Sequence, residues 1–402
     1  MNFWAGKKIV LIICGGIAAY RAIDLIRSLR KEGAVVTVVA TKSALEFVGK
    51  LSLQALSSEP VHSDLFTPAM SDAMDHIHLT KNADLVVIAP ATANLLAKMA
   101  AGMADDLTSS MLLAYNGPLL AAPAMNTRMW QHSATQRNVQ QLKSDGVEFI
   151  NPSSGSLACG EDGEGRLAAI EEIIEAGRSL LSKKILKGHR LLITAGPTHE
   201  ALDPVRYIAN HSTGKMGWSI CRAALRAGAE VVLIHGPVNM EPPHGAESRR
   251  VTSAQEMFTN SIEAWQRGCS GAILTAAVGD YRPLHPKAGK IKKDPANPEL
   301  ALTLTANPDI LATLAKESGG KVVVGFAAET GNALELGREK MVRKGCDLLV
   351  INDLLDPKSG FGTDTNQVTL LYGDGREESW PLLSKDMVAE KLIQAIAIML
   401  NK

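Results

Sequence analysis

The sequence predicts a ligand-binding position for one amide side chain of the first half, that of Asn126. Asn126 lies in the octapeptide Pro-Ala-Met-Asn-Thr-Arg-Met-Trp, residues 123–130, which follows an apolar run over 119–122. That run predicts a short buried parallel strand, so we expect Asn126 at the carboxyl end of a strand, where open α/β sheets bind their ligands. The alternative is a Pro-Asn turn whose methionines and tryptophan only fill the core.

A histidine and a cysteine in the same half are candidates for proton transfer. His76 lies in Met-Asp-His-Ile-His-Leu, residues 74–79, although a single histidine is more often a surface or hydrogen-bonded core residue. Cys159 lies in the glycine-rich polar stretch 156–166, which is too flexible for a core strand and long enough to act as a lid. A lone cysteine is usually buried, but the neighbouring glycines and charges argue against burial here.

Three turns after predicted strands offer groups that bind a phosphate. Glycines let backbone N–H groups approach an anion, and hydroxyls and helix N-termini add further donors. The groups are Gly15, Gly16 and Ile17 after the first strand, Thr41 and Ser43 after the second, and Pro90, Thr92 and Asn94 after the third. The Gly-x-Gly-x-x-Gly dinucleotide fingerprint is absent from the first turn. One mononucleotide site is therefore predicted.

The second half contains another glycine- and hydroxyl-rich segment. Thr-Ala-Gly-Pro-Thr-His-Glu, residues 194–200, leads through 203–217 into a predicted helix. Arg206 and Lys215 near the start of that helix predict an anion site, although the order of residues is not that of a Walker A loop. Lys-Ile-Lys-Lys at 290–293 is the kind of basic run that usually forms a solvated turn, but it follows a strand end and a polar loop.

The elements that must position these groups alternate between strand-like and helical patterns. The predicted strands are 8–14, 35–40, 85–89, 119–122 and 147–150, then 191–195, 230–235, 272–276, 322–327 and 348–351, and the clearest helices are 18–31 and 385–400. Such alternation predicts an α/β fold of two Rossmann-like three-layer domains with mainly parallel sheets. A late strand, 368–372, ends at Gly-Asp-Gly and predicts an edge hairpin.

Length and composition favour two domains without a nucleic-acid or membrane partner. A chain of 402 residues exceeds one ordinary core, and a short basic segment before residue 190 gives the predicted domains 1–182 and 190–402. Lys+Arg and Asp+Glu are each 42, so no net charge attracts nucleic acid or an anionic membrane.

No apolar run reaches membrane-spanning length and no signal peptide is recognised, so we expect a cytoplasmic protein. The five cysteines are odd in number and scattered, which argues against disulfides and structural zinc.

The first half resembles the flavin-dependent cysteine decarboxylases. The resemblance rests on Pro-Ala-Thr-Ala-Asn at 90–94, Gly-Met-Ala-Asp-Asp-Leu at 102–107 and the octapeptide at 123–130, in that order. It implies a flavodoxin-like domain that binds FMN and acts on 4′-phospho-N-pantothenoylcysteine, which is oxidised, decarboxylated and then reduced. It also implies acid/base transfer by His76, substrate contacts from Met125 and Asn126, with Asn126 on the carboxylate, and proton donation by Cys159. Asp105 stands where the family usually has asparagine.

The second half resembles phosphopantothenate-cysteine ligase. The order of 194–217, 276–282 and 290–293 carries the resemblance, and 307–310, 325–329 and two lysines on one helix face extend it to about residue 353. It implies that CTP and Mg²⁺ convert 4′-phosphopantothenate into an acyl-cytidylate, which L-cysteine attacks. Lys290 would neutralise the α-phosphate and Asn210 would stabilise the oxyanion. The implied substrate and nucleotide contacts are Arg206, Ala276, Asp280, Asn307, Pro308, Asp309, Ile310, Phe326, Lys340 and Lys344.

Together the two resemblances imply a bifunctional enzyme of coenzyme A biosynthesis. Trimeric relatives of the first half and dimeric relatives of the second imply a closed homo-oligomer, with a dodecamer as the expected assembly. Two other interpretations compete with this one. The first half could be a peptidyl-cysteine decarboxylase or a flavin prenyltransferase of the same fold, but the ligase-like second half argues against both. It could also be a flavin-binding regulatory protein without turnover, but the presence of His76, Asn126 and Cys159 together argues against that.

Overall fold

The computed structural model describes residues 3–65, 79–156, 160–292, 299–329, 332–353 and 362–401. The chain forms two compact units, Met1–Ser182 and Lys183–Lys402. Both are α/β units with predominantly parallel sheets, as the alternating pattern predicts. No helix in the described part of the chain is long and apolar enough to cross a lipid bilayer.

The first unit is organised around a six-stranded sheet in which every pairing is parallel. Its strands are β1 (Lys8–Ile13), β2 (Val35–Ala40), β3 (Val61–His62), β4 (Leu85–Ala91), β5 (Leu119–Pro123) and β6 (Glu148–Phe149). Their order in the sheet is β3-β2-β1-β4-β5-β6. Without the two-residue edge strand β3, the order is that of flavodoxin-like folds, and it reverses between β1 and β4.

Helices cover both faces of this sheet. They are a 3₁₀ helix (Ile17–Arg21), α1 (Ala22–Lys31), α2 (Lys42–Leu45), α3 (Lys50–Ser57), α4 (Ala93–Ala100), α5 (Leu107–Ala114), α6 (Thr127–Gln131), α7 (Ser133–Ser144) and α8 (Ile170–Leu181). Alternate residues of β1 enter opposite cores: Leu11 belongs to one hydrophobic cluster and Ile12 to the other. This is the period-two pattern of a strand buried on both faces. An antiparallel hairpin, β7 (Ser153–Ser156) with β8 (Asp162–Arg166), lies outside the sheet.

The second unit contains an eight-stranded sheet in the order β13-β12-β9-β14-β17-β18-β20-β21. These strands are β9 (Arg190–Ala195), β12 (Glu230–His235), β13 (Glu247–Arg250), β14 (Gly271–Leu274), β17 (Val322–Glu329), β18 (Leu348–Asp353), β20 (Val368–Tyr372) and β21 (Glu377–Ser379). The six strands from β13 to β18 in this order are parallel to their neighbours, whereas β20 pairs antiparallel with both β18 and β21. The predicted edge hairpin is confirmed.

Three short two-stranded ribbons and five helices complete the description of the second unit. The ribbons are β10 (His199–Ala201) with β11 (Tyr207–Ala209), β15 (Tyr281–Pro283) with β16 (Leu304–Ala306), and β19 (Thr365–Asn366) with β22 (Leu383–Ser384). The helices are α9 (Lys215–Arg226), α10 (Ala254–Gln266), α11 (Ile310–Lys316), α12 (Ala333–Lys344) and α13 (Lys385–Leu400).

Several predicted elements differ at their ends from those observed, including one helix and two strands. The helix predicted over 18–31 begins as the 3₁₀ helix and becomes α-helical only at Ala22. The strand predicted over 147–150 pairs only at Glu148–Phe149. The strand predicted over 272–276 ends at Leu274, although the N–H of Thr275 still donates to the Thr194 carbonyl at 3.1 Å and an isolated parallel bridge joins Ala277 to Pro197.

Candidate active sites

The cleft of the first unit begins at the turn after β1. A Cβ atom added to Gly15 would lie 2.3 Å from the Cβ atom of Ser43, so glycine is required for the close approach of the turns after β1 and β2. A Cβ atom added to Gly16 would meet no atom within 4 Å. The φ angle of Gly16 is −177°, which any residue adopts. Gly15 therefore serves packing, whereas Gly16 leaves open space beside the backbone.

Two threonine hydroxyls begin helices at the same edge of the sheet. Thr41 Oγ1 accepts a hydrogen bond from the N–H of Ala44 at 3.2 Å. Thr92 Oγ1 accepts one from the N–H of Leu95 at 3.4 Å. Both are N-cap interactions, and they leave other first-turn N–H groups available for an anion. Because β1, β2 and β4 are parallel, both helix starts lie at the edge where the β1 turn lies.

These turns border a cleft of about 870 Å³. The volume is in the range that proteins use for small ligands. The predicted residues that line it are Gly15, Gly16, Ile17, Thr41, Ser43, Thr92, Asn94, Met125 and Asn126. Pro90 lies inside β4, where its carbonyl accepts a hydrogen bond from the N–H of Cys14 at 3.3 Å. His76 and Cys159 fall outside the described residues.

The amide of Asn126 is held on both sides. Its Oδ1 accepts a hydrogen bond from the N–H of Arg128 at 2.9 Å, which caps α6. Its Nδ2 donates to a carboxylate oxygen of Glu161 at 3.2 Å, and that carboxylate also lies 3.3 Å from the Arg128 guanidinium. The orientation of the amide is therefore fixed, with its N–H side toward a carboxylate.

The β7–β8 hairpin packs against the same motif. The N–H of Met125 donates to the carbonyl of Gly165 at 3.0 Å, and a Cβ atom on Gly165 would lie 2.2 Å from the Met125 carbonyl oxygen. Ser156 and Arg166, one from each strand of the hairpin, line the cleft. Cys159 lies between these two strands in the sequence. The contacts explain why a glycine-rich polar segment is held at this cleft.

A charge cluster at the cleft was not predicted from the sequence. The Lys98 ammonium lies 2.8 Å from the Asp105 carboxylate and 2.7 Å from that of Asp106, and Lys98 and Asp106 line the cleft. The hydrogen bond to Asp105 raises the pKa of Lys98, and the same bond lowers the pKa of Asp105. Asp106 also forms a capping box with Ser109 at the start of α5. The adjacent acidic pair in 102–107 is the signal that could have revealed this cluster.

In the second unit, helix α9 packs closely on the ends of the central strands. A Cβ atom on Gly217 would lie 2.3 Å from the Cβ atom of Ala195 and 2.8 Å from Thr275 Oγ1. The Thr275 hydroxyl donates to the Thr194 carbonyl at 2.7 Å. The reversal of strand order between β9 and β14 also lies at this place. The ends of β9 and β14 and the start of α9 therefore meet at the position where ligands bind in such sheets.

Two asparagines join three of the predicted segments. Asn210 Nδ2 donates to the Val278 carbonyl at 2.9 Å. Asn307 Nδ2 donates to the Gly279 carbonyl at 2.8 Å, and the Asn307 N–H donates to the Asp280 carbonyl at 2.9 Å. The loop that follows β14, including the half-buried Ala276, is thus fixed from both sides.

The basic residues of the second unit differ in their partners. Arg206 contacts the buried carboxylate of Asp203 and donates to the Ile291 carbonyl at 2.8 Å. Lys290, the residue before Ile291, is exposed, and no described residue pairs with its ammonium. Asp203 was not predicted from the sequence, although an Asp-Pro turn followed by arginine is a recognisable turn signal.

The last predicted nucleotide contacts lie at the start of α11, on β17 and on α12. Asp309 caps α11 through a hydrogen bond from the N–H of Ala312 at 3.0 Å, and its carboxylate pairs with the Lys344 ammonium. Burial works to raise the pKa of Asp309, but these two partners together lower it. Pro308 is half-buried and Ile310 is buried. Phe326 on β17 and Lys340 on α12 are half-buried.

Within the described residues, no group of three histidine, cysteine, aspartate or glutamate side chains has the arrangement of a metal site. The described cysteines Cys14, Cys221, Cys269 and Cys346 are unpaired and buried. Burial raises the pKa of both Cys14 and Cys221 to about 12. These thiols are therefore neutral at ordinary pH.

Comparison with known proteins assigns a family to each unit. A family model described as "Flavoprotein" matches residues 4–182. One described as "DNA/pantothenate metabolism flavoprotein C-terminal domain" matches residues 186–399. A solved structure titled as the C-terminal domain of coenzyme A biosynthesis bifunctional protein CoaBC is 37% identical, covers 55% of this chain and 99% of its own, and has a TM-score of 0.47.

Two curated relatives with the same name match this chain over nearly its whole length. The coenzyme A biosynthesis bifunctional protein CoaBC of Vibrio vulnificus strain CMCP6 is 42% identical over 402 residues, which is 100% of both chains. The protein of that name from Escherichia coli strain K12 is 45% identical over 395 residues, covering 98% of this chain and 97% of its own. The chain therefore belongs to the family of coenzyme A biosynthesis bifunctional proteins.

Proposed function

We propose that the chain catalyses two reactions of coenzyme A biosynthesis, one in each unit. The unit 183–402 joins L-cysteine to 4′-phosphopantothenate with CTP, and the unit 1–182 decarboxylates the resulting 4′-phospho-N-pantothenoylcysteine to 4′-phosphopantetheine. The observation that carries the proposal is the match to bifunctional relatives over the whole length of the chain. The domain order inverts the order of the reactions.

The cleft of the first unit fits FMN better than a dinucleotide. It offers two helix N-termini and a glycine turn for one phosphate, and no dinucleotide fingerprint. The Nε of Arg21, on the cleft wall, is buried and has no hydrogen-bond acceptor among the described residues. An anionic ligand would satisfy this cation. The flavin, when bound, supplies the electron transfer that side chains lack.

Asn126 is proposed to hold the carboxylate of the substrate. Its amide N–H already faces a carboxylate, that of Glu161 at 3.2 Å, so the group is oriented for this kind of ligand before substrate enters. His76 is proposed as the acid/base residue and Cys159 as the proton donor at the end of the reaction. Met125, held by the β7–β8 hairpin, is proposed to contact the substrate beside Asn126.

In the second unit, Lys290 and Asn210 are proposed to serve successive steps. The exposed Lys290 ammonium neutralises charge that develops on the α-phosphate as the carboxylate of phosphopantothenate displaces pyrophosphate. One N–H of the Asn210 amide is fixed by the Val278 carbonyl, which orients the second N–H toward the oxyanion that forms when cysteine attacks. The activation step is needed because a free carboxylate is a poor acyl donor.

The remaining predicted residues of this unit are proposed to bind substrate and nucleotide. Mg²⁺ is proposed to accompany the triphosphate, since it usually binds through substrate phosphates rather than an all-protein cage. The contacts proposed are Arg206, Ala276, Asp280, Asn307, Pro308, Asp309, Ile310, Phe326, Lys340 and Lys344. Because the Lys344 ammonium contacts Asp309, nucleotide binding must share or displace that pair.

We also propose a homo-oligomer, with a dodecamer as the expected assembly, because trimeric and dimeric contacts on one chain close into such a particle. Light scattering of the purified protein tests this directly. A stable monomer with full decarboxylase activity contradicts it.

The function is tested by product analysis. Phosphopantothenate and cysteine are incubated with each nucleoside triphosphate in turn, and the products are identified by mass spectrometry. We expect 4′-phospho-N-pantothenoylcysteine and then 4′-phosphopantetheine, with CMP and pyrophosphate when CTP is supplied. Acid should release FMN from the purified protein. Release of FAD, or failure to form the amide with any nucleotide, contradicts the proposal.

A further inference from the structure

We propose that Asp203 is a positioning residue for Lys290. The buried carboxylate of Asp203, in the turn of the β10–β11 ribbon, holds the segment that contains Lys290 by a hydrogen bond from the N–H of Ile291. This inference rests on the ligase function proposed above, and it assigns to Asp203 a part in the activation step although it need not touch the nucleotide.

The two carboxylate oxygens of Asp203 have separate tasks. Oδ1 accepts hydrogen bonds from the N–H groups of Val205 at 2.8 Å and of Arg206 at 2.9 Å, which shape the turn between β10 and β11. Oδ2 accepts from Arg206 Nε at 3.0 Å and from the N–H of Ile291 at 3.0 Å. Ile291 is 88 positions away in the sequence. One side chain thus joins a local turn to a distant segment.

Both backbone groups of Ile291 are held. Its N–H binds Asp203, and its carbonyl accepts from Arg206 Nη2 at 2.8 Å. Three residues before Lys290, the N–H of Lys287 donates to the Leu202 carbonyl at 2.9 Å. The backbone on either side of Lys290 is therefore tied to the ribbon, while the Lys290 side chain is exposed and pairs with no described residue.

The charge balance supports a positioning role rather than a simple surface ion pair. The Asp203 side chain has no solvent exposure, and a buried carboxylate must be fully hydrogen-bonded. The carboxylate accepts hydrogen bonds from the Arg206 guanidinium and from the three backbone N–H groups of Val205, Arg206 and Ile291. An ammonium that acts on developing charge is most effective when its backbone is fixed beforehand, because a displacement of about 1 Å can cost roughly 10²-fold in rate.

The test uses Asp203→Asn in the full-length protein. Asparagine has the same size, but its amide nitrogen must face donors on one side, either at the turn or at Ile291, so the link is broken without leaving a cavity. The matched control is Asp386→Asn, which removes a carboxylate that lies 3.0 Å from the Arg222 guanidinium, joining α9 to α13. Both substitutions lie in the unit 183–402, so far-UV circular dichroism and urea unfolding should show that this unit is folded in both variants. Both should also retain decarboxylation of 4′-phospho-N-pantothenoylcysteine, which reports on the unit 1–182.

Two measurements decide the proposal. Trypsin cleavage at the Lys290–Ile291 bond, followed by mass spectrometry of the native protein, should become at least about tenfold faster in Asp203→Asn, since the held backbone is released. Pyrophosphate release from CTP and phosphopantothenate should fall on the order of 10- to 100-fold. Asp386→Asn should resemble the unmodified protein in both measurements.

The outcomes separate this inference from the proposed function. Faster cleavage at Lys290–Ile291 with normal pyrophosphate release would show that the link is only structural and would overturn the positioning role. Unchanged cleavage would overturn the link itself. An unmodified protein that releases no pyrophosphate would instead contradict the ligase function, and the cleavage measurement would still report on the contact.

Discussion

The two units share a strand order but build their sites differently. In each sheet, six parallel strands follow the order 3-2-1-4-5-6, so the first strand lies between the second and the fourth. In the first unit the site is a cleft shaped by backbone packing, as at Gly15 against Ser43. In the second, separate loops are joined by side chains that bind backbone groups, as Asn210, Asn307 and Asp203 do.

The difference indicates that the fold determines where each site lies, whereas the loops determine how the site is built. The reversal of strand order places both sites at carboxyl strand ends. A resident flavin favours a cavity that is shaped before the cofactor binds, whereas a nucleotide that enters and leaves favours individually held side chains. The chemistry therefore lies in the loops and not in the shared sheet.

The largest expected effect separates the two steps within the second unit. Asn210→Asp should form acyl-cytidylate and pyrophosphate but little amide, because a carboxylate repels the oxyanion, and loss of one oxyanion donor typically costs on the order of 10²- to 10³-fold. Lys290→Gln should form neither product. Rapid quenching and mass spectrometry distinguish these outcomes, and failure of both variants at the same step would contradict the assigned roles.

A pair of glycine variants tests whether the first cleft depends on backbone packing. Gly15→Ala forces a methyl group onto Ser43, and we expect a loss of about 1–3 kcal/mol in the free energy of unfolding together with poor flavin retention. Gly16→Ala has room for its methyl group and should unfold at the urea concentration of the unmodified protein. Circular dichroism and flavin absorbance measure both properties. Equal stability of the two variants would contradict the packing argument.

Acid should weaken the second unit through Asp203. The Arg206 guanidinium, followed by the N–H groups of Ile291, Val205 and Arg206, holds the pKa of this carboxyl well below its usual range. The folded state therefore binds fewer protons than the unfolded state, so the stabilisation is complete above the ordinary pKa of about 3.9 and is lost as pH falls below it. Urea unfolding between pH 5 and pH 2, a range chosen on that basis, should show a shallower acid dependence in Asp203→Asn. Parallel curves would contradict this.

The smallest expected effects concern the acidic pair beside Lys98. Asp106→Ala removes a helix cap as well as a charge partner, and lost caps typically cost about 1 kcal/mol. Asp105→Ala removes an exposed partner of Lys98 and a hydrogen bond from the Ser109 hydroxyl at 3.2 Å, but no helix cap, so its unfolding midpoint should move less. Thermal unfolding compares the two variants. A larger shift for Asp105→Ala would show that the cap is not the main contribution.

The sequence predicted the features that local patterns encode. Buried apolar runs such as 35–40 and 230–235 match their strands at both ends, because parallel strands buried on both faces are continuously apolar. In the first unit, the turns after the predicted strands indicated seven of the residues that line the cleft. The glycine and hydroxyl residues were sufficient for that prediction, since their positions follow from the strand ends alone.

The features that depend on distant contacts were not predicted. The bond between Asp203 and Ile291 spans 88 positions, and no periodicity links them. The cluster of Lys98 with Asp105 and Asp106 spans only seven and eight positions. It was missed for a different reason, because the lysine lies on one helix and its partners lie before the next, so no helix spacing relates them. The strand predicted over 147–150 was too long because pairing at a sheet edge, and not apolar character, decides where it ends.

If one chain contains two independent active sites, a variant that disables the second unit should leave the reaction of the first unit intact. Lys290→Gln is supplied either with phosphopantothenate, cysteine and CTP or with 4′-phospho-N-pantothenoylcysteine, and 4′-phosphopantetheine is measured by mass spectrometry. We expect no product from the first mixture and a normal yield from the second. Loss of product from both mixtures, or product from the first at the rate of the unmodified protein, would contradict this expectation.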